Sequence, residues 1–138
     1  DLPPGTGDAQ LSLAQAVPME GVVIVTTPQT VSLQDSRRGL AMFKKMDVPI
    51  LGVVENMTAF IPPDAPDKRY ELFGYGAGKT LAEENKVPLL AQIPMEIHSY
   101  EKVNQDQPIV NKSPNSITAK EFLNLAKIIL EASLKPIK

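Results

Sequence analysis

Pro49-Ile50-Leu51-Gly52-Val53-Val54-Glu55-Asn56-Met57 is the stretch that decides the fold. Its first six residues are apolar without alternation, and a polar pair follows. A short, continuous, β-branched run of this kind reads as a strand buried on both faces. Two further runs have the same form. One is Gly21-Val22-Val23-Ile24-Val25-Thr26-Thr27, closed by Pro28, and the other is Pro88-Leu89-Leu90-Ala91-Gln92-Ile93-Pro94. Between them lie segments that read as helices. Residues 30–46 can be capped by Thr30 and carry Leu33, Leu40 and Phe43 near one face. Residues 76–86 run through Leu81-Ala82-Glu83-Glu84. A last helix is expected from Ser113 as N-cap, with Pro114 in its first turn, to about Leu134, burying Phe122, Leu125, Ala126 and Ile129. Residues 58–75, which hold Pro62, Pro63 and Pro66, show no apolar period and are expected to be irregular. Residues 95–112 are expected to hold a loop and one short helix. Strands alternating with helices give βα units, and hence an α/β fold with a mostly parallel sheet flanked by helices.

Composition excludes several function classes. The chain has 138 residues, enough for one domain or a piece of one. Hydrophobic residues make up 43% and charged residues 22%, which fits neither a disordered chain nor a membrane span. A net charge of −2 argues against nucleic acid as partner. With no cysteine and one histidine, His98, the chain offers no disulfide, no thiolate ligand and no multi-histidine metal site. No signal peptide opens it, and a cytoplasmic setting without stable membrane insertion is expected.

Ligands of open α/β sheets bind outside the C-terminal strand ends. Three places qualify: residues 26–29, residues 55–57 and residues 93–95. The opening Asp1-Leu2-Pro3-Pro4-Gly5-Thr6-Gly7-Asp8 reads as a site loop that should follow a strand, or as a tag remnant. As a site loop, the Asp1 carboxylate can hold hydrated Mg²⁺, and Gly5 can offer its N–H to a terminal phosphate. A solvated acidic turn explains the same residues equally well. Asn56 can pair bidentately with a base edge, or can sit in a turn. Gly74-Tyr75-Gly76-Ala77-Gly78-Lys79-Thr80 resembles a phosphate loop only superficially. The motif needs four residues between its glycines, which would place the first at Phe73. A glycine-rich start to a helix, with Lys79 in solvent, is the better reading.

Taken in order, these motifs resemble the Mrp/ApbC family of P-loop ATPases, relatives of MinD and the nitrogenase iron protein. The carriers are residues 1–8, Thr26-Thr27-Pro28-Gln29, Gly52-Val53-Val54-Glu55-Asn56-Met57, Phe73 to Gly78, Val87 to Pro94, and Pro108-Ile109-Val110. The resemblance implies a P-loop NTPase fold of the SIMIBI type. It also implies a dimeric ATPase that uses ATP and Mg²⁺ and passes iron–sulfur clusters to client apoproteins. By the same resemblance, Asp1 is the Walker B aspartate on the Mg²⁺ side. Gly5 is the switch glycine facing the γ-phosphate, and Asp8 closes that loop. Asn56 reads adenine, and Pro94 and Met95 lie beside it. The family's phosphate loop lies upstream of these motifs, so residues 1–138 are expected to be the C-terminal half of one ATPase domain, inactive alone. The family's Cys-x-x-Cys falls on Pro62 and Ala65, which cannot ligate iron, so cluster binding by this chain is not expected. Asp106 replaces a family glycine. Two other readings compete: a MinD-like positioning ATPase and a non-catalytic adaptor that keeps the fold.

Overall fold

The three apolar runs pair side by side as one parallel sheet, in the order β1-β2-β3, in a computed structural model that describes residues 7–97 and 107–133. The strands are β1 (Val22–Thr26), β2 (Ile50–Ile61) and β3 (Leu89–Glu96). Around them lie α1 (Asp8–Ala16), α2 (Thr30–Lys45), α3 (Ala77–Asn85), α4 (Ile109–Lys112) and α5 (Ile117–Ser133). Helices pack on both faces of the sheet, which is why its strands begin as continuous apolar runs. On one face Val22, Ile24 and Val53 pack against Leu40 and Phe43 of α2 and Leu81 and Ala82 of α3. On the other, Val54, Leu90, Ala91 and Ile93 pack against Leu125 and Ile128 of α5. The outer edge of β1 pairs with no strand among the described residues. An open groove of about 810 Å³ runs along it, between Leu13 of α1, Val17 just after that helix, and Val31 of α2. Among the described residues no helix is long and apolar enough to cross a membrane.

Four expectations need correction. First, β2 does not stop at Val54. It continues to Ile61 through an irregular register between Asn56 and Phe60. Phe60 then exchanges both backbone hydrogen bonds with Tyr70, at 2.8 and 2.9 Å, so part of the segment expected to be irregular is a strand and its antiparallel return. The prolines mark only the turn between them, and the buried Ala59 and Ile61 hold the extension in place. Second, residues 8–16 form a helix that the sequence pattern did not signal, because its apolar stripe is weak. Asp8 stands in its first turn, where a negative charge meets the positive end of the helix dipole. Third, the last long helix starts at Ile117 rather than near Ser113. Ser116 Oγ accepts from Ala119 N–H at 3.1 Å, while Ser113–Ser116 is a separate turn after α4. Its inward residues are Ala119, Leu125 and Ile128, whereas Phe122 is 39% exposed. Fourth, α2 is preceded by Gln29 as its N-cap, with Thr30 as the first helical residue and no side-chain cap.

Surface charges strap α2 to α3. Arg37 meets Glu84 through two hydrogen bonds, of 2.9 and 2.5 Å. That bonding lowers the Glu84 carboxyl below its ordinary value and raises the Arg37 guanidinium. A lowered carboxyl stabilises the fold above its unfolded pKa, and the contribution fades as pH falls through the folded value. Both groups are exposed, so the contribution is small.

Gly52 shows how tightly β2 meets its neighbour. Its φ is +155, and an added Cβ would lie 2.6 Å from the Pro88 carbonyl oxygen and 2.5 Å from Leu90 Cγ. Backbone cannot give way as a flexible side chain can. Gly52→Ala is therefore expected to cost about 1–3 kcal/mol, in the range for overpacked cores. The urea midpoint of the 138-residue chain reads this directly, and an unchanged midpoint contradicts the packing described.

Candidate nucleotide-binding site

Midway along β2 the apolar run gives way to Glu55, a carboxylic side chain 1% exposed. Burial of such a group is costly unless its oxygens are bonded. Glu55 Oε1 accepts from Gly78 N–H at 2.8 Å, and Oε2 accepts from Gln92 Nε2 at 2.8 Å. Gly78 is the second residue of α3, so Glu55 supplies the acceptor that an amide in the first turn of a helix otherwise lacks. The contact requires glycine, because a Cβ at residue 78 would stand 2.6 Å from Glu55 Cβ. This settles the role of the glycine-rich stretch. The start of α3 is filled by the protein's own carboxyl group and is not open to a phosphate. Lys79 points into solvent, its side chain 69% exposed and 3.8 Å from Glu83.

Asn56 follows on the opposite face of the sheet. It pairs in register with Ile93, and Pro94 comes next on β3. Its side chain is half-buried, and its Oδ1 accepts from Met57 N–H at 2.9 Å. Asn56 therefore sits at an irregularity inside a strand rather than at a strand end or in a turn. Pro94 is buried and Met95 half-buried. The Pro94 carbonyl accepts from Thr118 Oγ1 at 3.1 Å, and Glu96 Oε2 accepts from Thr118 N–H at 2.7 Å. The first turn of α5 thus pins the end of β3 beside Asn56. The amide of Asn56 and this pinned backbone form a polar edge at the C-terminal side of a parallel sheet, where such folds bind ligands. On the Glu55 face a cavity of about 210 Å³ lies among Thr58, Arg69, Glu71 and Tyr75. It falls below the ~300 Å³ at which small-molecule pockets begin, so a nucleotide needs more than this cavity.

The register of β2 against β3 places Asn56 near Pro94 and Met95. Asp8 is exposed on α1, while Asp1, Gly5, His98 and Asp106 lie outside the described residues. At the end of β1, Ser32 Oγ accepts from Thr27 N–H at 3.0 Å, and Thr27 Oγ1 is buried with no hydrogen-bond partner among the described residues. Pro62 and Ala65 are joined across one tight turn, Ala65 N–H donating to the Pro62 carbonyl at 3.3 Å. The turn brings the two positions together, but neither side chain is a ligand.

Residues 1–130 match the family model described as ParA, NUBPL iron-transfer P-loop NTPase. The chain belongs to this family. Among relatives of this NUBPL-type chain, the iron–sulfur cluster carrier protein of Synechocystis sp. is 57% identical over 129 residues, which are 94% of this chain and 36% of that protein. The chain spans about a third of the length of the curated relatives it matches. A nucleotide-binding protein of Archaeoglobus fulgidus, solved in complex with ADP, is 38% identical. It superposes with a TM-score of 0.59, covering 68% of this chain and 38% of its own. The cell division ATPase MinD of Pyrococcus furiosus shares the fold at a TM-score of 0.60 and 24% identity, over 95% of this chain and 50% of its own.

Sequence reasoning missed Glu55, Gln92 and Glu96 as structural anchors of this family member. The available signal was a carboxylic residue closing an apolar strand, since a buried acid must find donors. Glu55→Ala strips the partner from two N–H groups and is expected to cost about 3 kcal/mol, against about 1 kcal/mol for Glu55→Gln, which still accepts from Gly78. Urea denaturation of both variants tests this, and a loss below about 0.5 kcal/mol for Glu55→Ala contradicts it.

Proposed function

We propose that this chain supplies the base-reading part of the nucleotide site of an ATP-dependent iron–sulfur cluster carrier. The observation that carries the reading is the Asn56 amide, set beside the pinned Pro94–Met95 backbone in a chain of the NUBPL iron-transfer P-loop NTPase family. The Archaeoglobus relative was solved with ADP, and the Synechocystis relative is named an iron–sulfur cluster carrier. In this reading residues 1–138 are the C-terminal half of one ATPase domain. Asp1 supports hydrated Mg²⁺, Gly5 meets the γ-phosphate, and Asp8 closes that loop. The complete protein works as a homodimer in the cytoplasm and serves client apoproteins. Phosphoryl transfer in such folds is positioning plus electrostatics. The residues of this chain bind and orient the base and the metal side, and a phosphate loop elsewhere supplies the rest.

Cluster handling divides differently. Iron–sulfur clusters need thiolates, commonly four per cluster, and this chain has no cysteine. Asp64 and Asp67 beside the 62–65 turn are hard oxygen ligands unsuited to replace a thiolate pair. Cluster ligands in this reading come from outside residues 1–138 or from a partner.

Two measurements test the proposal. In a longer protein that carries this chain, Asn56→Ala should raise KM for ATP while leaving kcat nearly unchanged, because a base contact is equal in ground and transition states. A lost pairing of about 1–3 kcal/mol corresponds to roughly 5- to 150-fold. Unchanged ATP affinity removes the base-reading role. The 138-residue chain alone should show no ATP turnover above an Asp1→Ala control and should stay colourless after anaerobic reconstitution with iron and sulfide. Stoichiometric iron and sulfide on the desalted chain would overturn the cluster assignment, and turnover would overturn the division of the ATPase site.

A further inference from the structure

Met57 has φ +58, the left-handed region that residues other than glycine rarely occupy. It falls where the register of β2 against β3 becomes irregular, between Asn56 and Phe60. There its N–H leaves the ladder and donates to Asn56 Oδ1 at 2.9 Å. A backbone N–H can be met only by the oxygen end of a side-chain amide, so this bond decides which end of Asn56 is oxygen and which is nitrogen. We infer that Met57 is a specificity-determining positioning residue, whose backbone N–H locks the Asn56 amide in the orientation that accepts adenine and rejects guanine. The inference rests on the nucleotide reading above and adds to it a reason for base choice.

The chemistry is that of two reversed patterns. At the six position adenine carries an N–H₂ donor and guanine a carbonyl acceptor. The neighbouring ring nitrogen N1 accepts in adenine and donates in guanine. An amide free to turn over by half a rotation presents donor and acceptor in either order and serves both purines. A locked amide serves one. Oδ1 has two lone pairs, so the bond to Met57 leaves one for an incoming N6–H, while both Nδ2 hydrogens remain for a ring nitrogen. A guanine in the same pose would set its O6 against Oδ1, two acceptors facing each other. The Met57 side chain, 40% exposed, is not what acts. The backbone geometry acts, and a β-branched residue at this φ would disturb it.

The test uses the isotopically labelled 138-residue chain in solution, titrated with adenosine and separately with guanosine. Two signals are followed by NMR: the Asn56 side-chain amide, and hydrogen exchange at the Met57 backbone amide. Met57 N–H should exchange more slowly in the native chain than in Asn56→Ala. Adenosine should bind about ten-fold or more tightly than guanosine, the scale of a good bidentate base contact. Asn56→Asp should keep the slow Met57 exchange, because a carboxylate oxygen still accepts, yet lose the adenosine preference with its Nδ2 donors. Met57→Val should lose both. Asn56→Asp therefore checks the contact of the amide with the base, and a Met57 bond that serves only to satisfy the strand irregularity would leave selectivity unmoved in Met57→Val. That outcome overturns the inference, as does equal affinity for the two nucleosides or an unprotected Met57 amide in the native chain. Each of these leaves the nucleotide site standing. No response to either nucleoside overturns the nucleotide reading, and the inference with it.

Discussion

The carboxyl group of Glu55 ties together three elements that would otherwise meet only through apolar contact. It leaves β2 on the α3 face, takes the second amide of α3 with one oxygen and the Gln92 side chain of β3 with the other. A buried acid must be bonded on nearly every side, so its position fixes its donors as firmly as they fix it. Gly78 must be glycine for the helix to come close enough, and the helix must start where it does for that amide to point at Oε1. The neighbouring Asn56 inherits this precision. Its backbone leaves a residue that cannot shift without breaking two hydrogen bonds.

The same device recurs at the other side of the sheet. Glu96 at the end of β3 takes the Thr118 amide in the first turn of α5, and Thr118 Oγ1 returns a bond to the Pro94 carbonyl. β2 and β3 therefore each present an acid to a helix start packed against the sheet, α3 on one face and α5 on the other. The candidate base-reading edge lies between these anchors. Rigid strands with bonded ends hold a site more exactly than loops can. That is a physical reason for the polar edge to form beside the end of β3, where the register of β2 is irregular.

Much of this architecture was legible in the residues. The three apolar runs were each too short for a helix and too continuous for a half-buried strand, so a covered parallel sheet followed. Leu40 and Phe43 marked the inward face of α2 correctly. The spacing of Gly74, Gly76 and Gly78 ruled out a phosphate loop, and the structure gave the positive reason in Glu55. What was not legible depended on contacts between distant residues. The prolines at 62, 63 and 66 masked the continuation of β2, because local turn chemistry says nothing of the Phe60–Tyr70 pairing that follows. The start of α5 was misplaced because Ser113 and Ser116 both precede suitable residues, and only packing chooses between them. Phe122 looked inward by period, but the sheet beneath α5 is narrow and meets Leu125 and Ile128 instead. Asn56 was legible as a candidate base reader, whereas the hydrogen bond that orients it arises from a backbone irregularity that no local pattern encodes.

The way α3 is anchored also bears on the order in which the chain folds. α3 has nine residues, with Gly76 and Lys86 in left-handed conformations at its two ends. A helix of that length is marginal in water by itself, since nucleation is unfavourable and few bonds follow to repay it. Its stabilising acid arrives from residue 55, more than twenty positions earlier in the chain, and that acid is held in turn by residue 92, beyond the helix. The helix therefore gains its support only once the two strands on either side of it are paired. Folding of this region should be a late, concerted closure rather than the growth of a helix that waits for its sheet.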